Sequence, residues 1–161
     1  MNAVDIHSDD DLRELYRELI LDHARNPRHF GKLDDVTHAA EGINPLCGDK
    51  LRLSICVDND DNIVDASFEG SGCAISVASA SLLTDIIIGL PSQKALDCFD
   101  AVTQRLTNPN VDHDQDVGVD LDKLKALDGV REFPSRVKCA TLAWHALNSA
   151  IRGQTTPVST E

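Results

Sequence analysis

Lys50-Leu51-Arg52-Leu53-Ser54-Ile55-Cys56-Val57 alternates polar and apolar side chains without a break, the period-2 pattern of a strand with one buried and one wet face. Asp58-Asn59-Asp60-Asp61-Asn62 then supplies turn residues, and residues 63–69 resume a strand with Val64, Ala66 and Phe68 expected on one side. The two runs make an antiparallel hairpin. Upstream, residues 36–43 are a weaker third strand, with Gly42 and Pro45 marking its end.

Working outward, the period changes to helical on both flanks. Before the hairpin, Leu12, Leu15, Tyr16, Leu19 and Ile20 fall on one helical face, capped by Ser8 or by one of Asp9, Asp10 and Asp11. Asn26-Pro27 stops that helix, because a residue before proline is pushed out of the helical region. After Gly70, helices are expected over 74–88, over 92–106 beyond the Gly89-Leu90-Pro91 break, over 121–127, and over 136–151 with Ser135 as cap. Ser76, Ala78, Ser79, Ala80 and Ser81 are small enough for close helix-on-sheet packing. The fold class is therefore α+β, a small antiparallel three-stranded sheet with helices packed on one face.

The chain has 161 residues, the size of a single domain. Its expected organisation is an acidic flexible lead over 1–11, one domain over 12–152 and a flexible tail over 153–161. Lys and Arg number 15 against 27 Asp and Glu, a net charge of −12, so the field repels a phosphate backbone and excludes nucleic acid as a partner. No window approaches the ~20 apolar residues of a membrane span, and residues 1–11 carry acids where a signal peptide needs bases and an apolar run. A cytoplasmic location without membrane contact is expected. The five cysteines are odd in number and unevenly spaced, which argues against a disulfide framework and for packing, metal ligation or reactivity.

Three of those cysteines stand in unusual settings. Asn44-Pro45-Leu46-Cys47-Gly48-Asp49 places a thiol and a carboxylate two residues apart, and Gly48 lets the backbone fold so that both reach one cation. Taken alone, the hexapeptide reads equally well as an ordinary loop before a strand. Gly70-Ser71-Gly72-Cys73 sits at a strand-to-helix junction, and Cys139 near the start of the last helix, where helix N-termini favour thiolates. Together they offer three sulfurs and one oxygen, a set that suits zinc or one edge of an iron–sulfur cluster. With 25 residues between Cys47 and Cys73 and 65 between Cys73 and Cys139, only the fold can bring them together.

Other chemistry-bearing residues read as ordinary. Cys56 alternates onto the polar strand face and Cys98 lies within a helix, so both are expected to be non-ligands. His145 has no acid at local spacing to make a Cys–His dyad; His7, His23, His29, His38 and His113 are expected at the surface. Asp112-His113-Asp114-Gln115-Asp116 alternates acids as calcium loops do, but Val117 and Lys123 stand where an EF-hand loop needs Gly and Glu. A solvated acidic loop is expected there.

Three motifs in order carry a family resemblance: the Asn44–Asp49 hexapeptide, Gly70-Ser71-Gly72-Cys73-Ala74-Ile75-Ser76, and Arg136-Val137-Lys138-Cys139-Ala140-Thr141-Leu142-Ala143-Trp144. With Asn26-Pro27-Arg28-His29-Phe30-Gly31 they resemble the NifU/IscU-like iron–sulfur cluster assembly proteins across residues 12–151. The long interval before Cys139, and Lys138 where IscU-type scaffolds carry a histidine, resemble the SufU branch. The resemblance implies that Cys47, Asp49, Cys73 and Cys139 bind zinc, that Cys47 accepts sulfur, and that Arg136 and Lys138 support the site. It further implies a pyridoxal-phosphate-dependent, SufS-like cysteine desulfurase as sulfur donor and a downstream cluster-building scaffold as recipient. The chain would then be a sulfurtransferase-type relay with no independent turnover. Two alternatives remain open on the same residues: a scaffold that assembles and passes on a [2Fe–2S] cluster, with iron or the cluster in place of zinc, and a purely structural zinc site in an interaction protein.

Overall fold

The structure is a computed structural model, and it describes residues 9–108, 118–154 and 156–160. The expected lead residues up to Ser8, His7, and the acidic run Asp112 to Asp116 with His113 lie outside the described residues.

Helix α1 (Asp9–Arg25) is followed by strands β1 (His38–Asn44), β2 (Asp49–Val57) and β3 (Ile63–Ser71), and then by helices α2 (Ala74–Ile87) and α3 (Ser92–Thr107). A 3₁₀ segment (Asp122–Val130), helix α4 (Pro134–Ile151) and strand β4 (Val158–Ser159) complete the order. The strands form one mixed sheet, β3-β2-β1-β4. The α+β class holds, but the sheet has four strands rather than three. The fourth comes from the segment expected to be a flexible tail: Val158 and Ser159 pair in parallel with Gly42 and Ile43, and Thr160 N–H donates to the Ile43 carbonyl at 3.1 Å. A two-residue strand carries no readable period, so only the open edge of β1 makes it a strand.

The helices cover one face of the sheet. Leu51, Leu53 and Ile55 of β2 point into the core with Ala66 and Phe68 of β3, and α4 lies so close to β1 that a Cβ on Gly42 would come within 2.9 Å of Leu142 Cδ1. The opposite face is polar, with Arg52 and its cross-strand partner Glu41 at 3.8 Å. One strand residue departs from the expected alternation: Val64 is exposed, and Ile63 takes the inward position. The cause is a bulge, since Cys56 pairs with Asp65 while Val57 pairs with Ile63, leaving Val64 as the extra residue and inverting the period at that point.

Two helix details also differ. The small residues of α2 serve mainly contacts with helices rather than with the sheet: Ser81 Oγ meets buried His23 of α1 at 2.7 Å, and Ser79 Oγ donates to the Ala140 carbonyl and accepts from Trp144 Nε1 at 3.2 Å. His23 is thus a core residue, 2 % exposed, not the expected surface group. At α4 the cap is Phe133, with Pro134 at the first helical position and Ser135 one residue further in, as proline's fixed φ and missing N–H favour. Cys139 therefore lies in the second turn.

Candidate metal centre

The hairpin between β1 and β2 builds most of the site. Asn44 and Asp49 are directly opposed across it, and the four residues between them form the tip, where Gly48 takes φ +72°, a left-handed angle that favours glycine. Asp49 shares the inward parity of Leu51, Leu53 and Ile55, and Asn44 that of Ala40 and Gly42; both are buried. Pro45, Leu46 and Cys47 at the tip are exposed. One turn of chain thus presents an exposed thiol beside a buried carboxylate.

The thiol of Cys139, buried on α4, faces this tip. Among the described residues, Cys47, Asp49 and Cys139 place one ligand atom each within 4.8 Å of one another. Cys73 stands outside that group but borders it. It is the N-cap residue of α2, its amide donates to Asp49 Oδ1 at 2.8 Å, and its Sγ is 3.7 Å from Ser76 Oγ. Gly72 is needed for this approach, because a Cβ there would lie 2.3 Å from Ser76 Oγ and 2.8 Å from Asp49 Oδ1.

The charges in the site are one-sided. Burial first, then hydrogen bonding to Asp49, Cys47 and Cys73, pushes the Cys139 thiol far above the usual cysteine range. The helix-start argument does not apply to this second-turn residue; its surroundings resist a thiolate until a cation is supplied. No Lys or Arg pairs with Asp49 among the described residues. A buried carboxylate without a counter-charge, beside two thiols and bordered by a third, is a donor set that fits a soft-to-borderline divalent cation such as zinc. Three thiolates and a carboxylate would leave such a dication with a net negative site.

Asn44 is the residue that the expected ligand set omits. Its Nδ2 faces Cys139 Sγ at 3.4 Å and Asp49 Oδ2 at a long 3.5 Å, while its buried Oδ1 has no partner. Extending the alternation of β2 back by one pair would have placed both Asp49 and Asn44 on the inner face. Of the two residues expected to support the site, Arg136 stacks its guanidinium 4.6 Å from the Phe133 ring centre, and Lys138 lines a cavity along α4 with Pro134, Thr141 and His145. Cys56 is half-buried on the outer face, and Cys98 is fully buried in α3, where desolvation and then Asp97 push its thiol up to about 11. All five cysteines are free thiols.

Residues 15–155 match the family model of the NifU-like N-terminal domain. The chain is 41 % identical over 140 residues to the zinc-dependent sulfurtransferase SufU of Bacillus subtilis, covering 87 % of this chain and 91 % of that protein. It is equally 41 % identical, over 144 residues, to the iron–sulfur cluster assembly scaffold protein IscU of Streptococcus pyogenes, covering 88 % and 85 %. Among solved structures, a candidate iron–sulfur cluster assembly scaffold protein for the SUF system from Fervidobacterium islandicum superposes with a TM-score of 0.76 at 34 % identity, covering 86 % of this chain and 98 % of that one.

Proposed function

The chain belongs to the NifU-like N-terminal domain family, and on that premise we propose that it serves iron–sulfur cluster assembly as a zinc-bound sulfur acceptor of the SufU kind. It takes persulfide sulfur from a cysteine desulfurase and relays it to the cluster-building machinery. Cys47, Asp49, Cys73 and Cys139 hold the metal. The observation that carries this reading is the contrast within one cluster of donors: Cys47 is exposed at a hairpin tip, while Asp49 and Cys139 are buried.

Zinc, having no redox chemistry, would keep the thiols deprotonated without oxidising them. The Cys47 thiolate attacks the outer sulfur of the partner's persulfide; a new S–S bond forms at Cys47, the old one breaks, and the partner's cysteine leaves as a thiolate. The exchange is redox-neutral. Gly48 gives the tip its left-handed turn, and the exposure of Pro45, Leu46 and Cys47 leaves the tip accessible to a partner. Cys73 and Cys139, anchored on α2 and α4, and Asp49 on β2 stay behind to hold the metal. The relay works in the cytoplasm with a pyridoxal-phosphate-dependent, SufS-like desulfurase.

Mass spectrometry of alkylated protein after incubation with a cysteine desulfurase and cysteine tests this reading. A persulfide on Cys47 is expected, and one found mainly on Cys139 overturns the assignment. The equal identity to an IscU scaffold favours one second reading, assembly of a [2Fe–2S] cluster on the same ligands. Anaerobic purification with metal analysis separates the two: one tightly held zinc in a colourless protein supports the relay, and a brown, iron-loaded protein supports the scaffold.

A further inference from the structure

One amide ties the buried half of the metal centre together. Asn44 and Asp49 are paired across the base of the hairpin, and both are buried. The two hydrogens on Asn44 Nδ2 have two acceptors in reach, Cys139 Sγ at 3.4 Å and, at the long limit, Asp49 Oδ2 at 3.5 Å. Asp49 also accepts the Cys73 amide at 2.8 Å. Among the described residues no N–H donor meets Cys47, which stands exposed at the tip. The buried donors of the cluster are thus held by protein hydrogen bonds, and the exposed one is not.

This orientation of the amide leaves Asn44 Oδ1 buried without a partner, a rare condition in folded proteins. The reversed amide is worse, because it aims that oxygen at a carboxylate and a sulfur that have no hydrogen to offer once both are ionised. The N–H groups therefore belong on the site. An N–H···S bond stabilises the negative charge that a thiolate spends in attacking an electrophile, so a thiolate held this way is the poorer nucleophile.

We propose that Asn44 is the positioning residue that sets which sulfur reacts: its amide quiets Cys139 and orients Asp49, reserving Cys47 as the thiolate that leaves the metal and attacks. The inference rests on the zinc-bound relay reading above and adds a second cause of selectivity to exposure. Burial keeps a partner protein away from Cys139, and Asn44 lowers its reactivity towards anything small enough to enter.

The test follows alkylation of the full-length protein by iodoacetamide, with zinc held in excess, and reads the initial rate at each cysteine by peptide mass spectrometry. Cys47 is expected to react first in the wild type. In Asn44→Ala, and in Asn44→Leu, which fills the space without an N–H, the rate at Cys139 relative to Cys47 is expected to rise at least about tenfold, the size of losing a hydrogen bond to a charged group. Cys98, buried in α3, should stay as slow as in the wild type. A rise at Cys139 in only one variant assigns the effect to the packing of the replacement and overturns the inference. So does a parallel rise at Cys98, which marks a loosened fold, or an unchanged Cys139 rate in both variants; each leaves the relay reading standing. A wild type that takes up no zinc, or that alkylates Cys139 ahead of Cys47, overturns the relay reading and the inference with it.

Discussion

Asp49 stands on the inward face of β2 in line with Leu51, Leu53 and Ile55, a position where a carboxylate without a counter-charge is costly. Its near neighbours are two thiols and an asparagine. The arrangement makes sense as a ligand set, and Asp49→Ala is expected to weaken zinc binding by more than the ~10–100-fold that loss of an outer hydrogen-bonding partner costs. Competition against a chelator measures this, and unchanged affinity would show that Asp49 is not a ligand. Asn44 is such an outer partner, with its amide between Cys139 and Asp49; Asn44→Ala should fall within that ~10–100-fold range. By contrast, Cys56→Ser and Cys98→Ser should retain the full metal content, because Cys56 belongs to the outer sheet face and Cys98 to α3. Loss of zinc in either variant means that the cysteines have been sorted wrongly.

At the scale of elements, the site depends on how closely β3 and α2 approach the hairpin. Gly72 sits where a Cβ would strike both Ser76 Oγ and Asp49 Oδ1, so Gly72→Ala should displace the carboxylate and lower metal affinity while circular dichroism remains that of the folded chain. Intact affinity would show that the junction has room to shift. The α1–α2 contact has its own signature. Burial holds the His23 imidazole below its ordinary value of 6.5, so the unfolded chain binds a proton more readily than the folded one. Stability from this group is therefore present above pH 6.5 and lost as the pH falls through that value towards the lower folded one. Urea unfolding of wild type and His23→Gln at a series of pH values should show a shallower acid-side loss in the variant; parallel curves would refute the assignment.

For the whole molecule, β4 extends the sheet beside β1, and Ser159 with the following Thr160 lines the α4 cavity. Removing residues 155–161 is expected to lower Tm by ~2–4 °C, the shift that ~1 kcal/mol produces in domains of this size, without unfolding the protein. A Tm equal to that of the full chain would mean that the strand adds nothing to stability.

Alternation in residues 50–57, the Asn26-Pro27 stop and the Gly89-Leu90-Pro91 break were legible because each is a local rule written in adjacent residues: period, fixed φ, or a missing N–H. The same locality exposed the hexapeptide around Cys47 and the glycines before Cys73. Other features lie beyond local rules. The bulge that turns Val64 outward depends on which residue of β2 it faces, and the burial of His23 depends on Ser81, far along the chain. Val158 and Ser159 become a strand only because β1 leaves an edge unpaired. The same holds at the metal centre: cysteines and an aspartate at suggestive positions are readable in the chain, but only the tertiary structure sets Cys47, Asp49 and Cys139 within 4.8 Å of one another and leaves one of the three exposed. Distance and exposure are properties of packed elements, and no period within a single element encodes them.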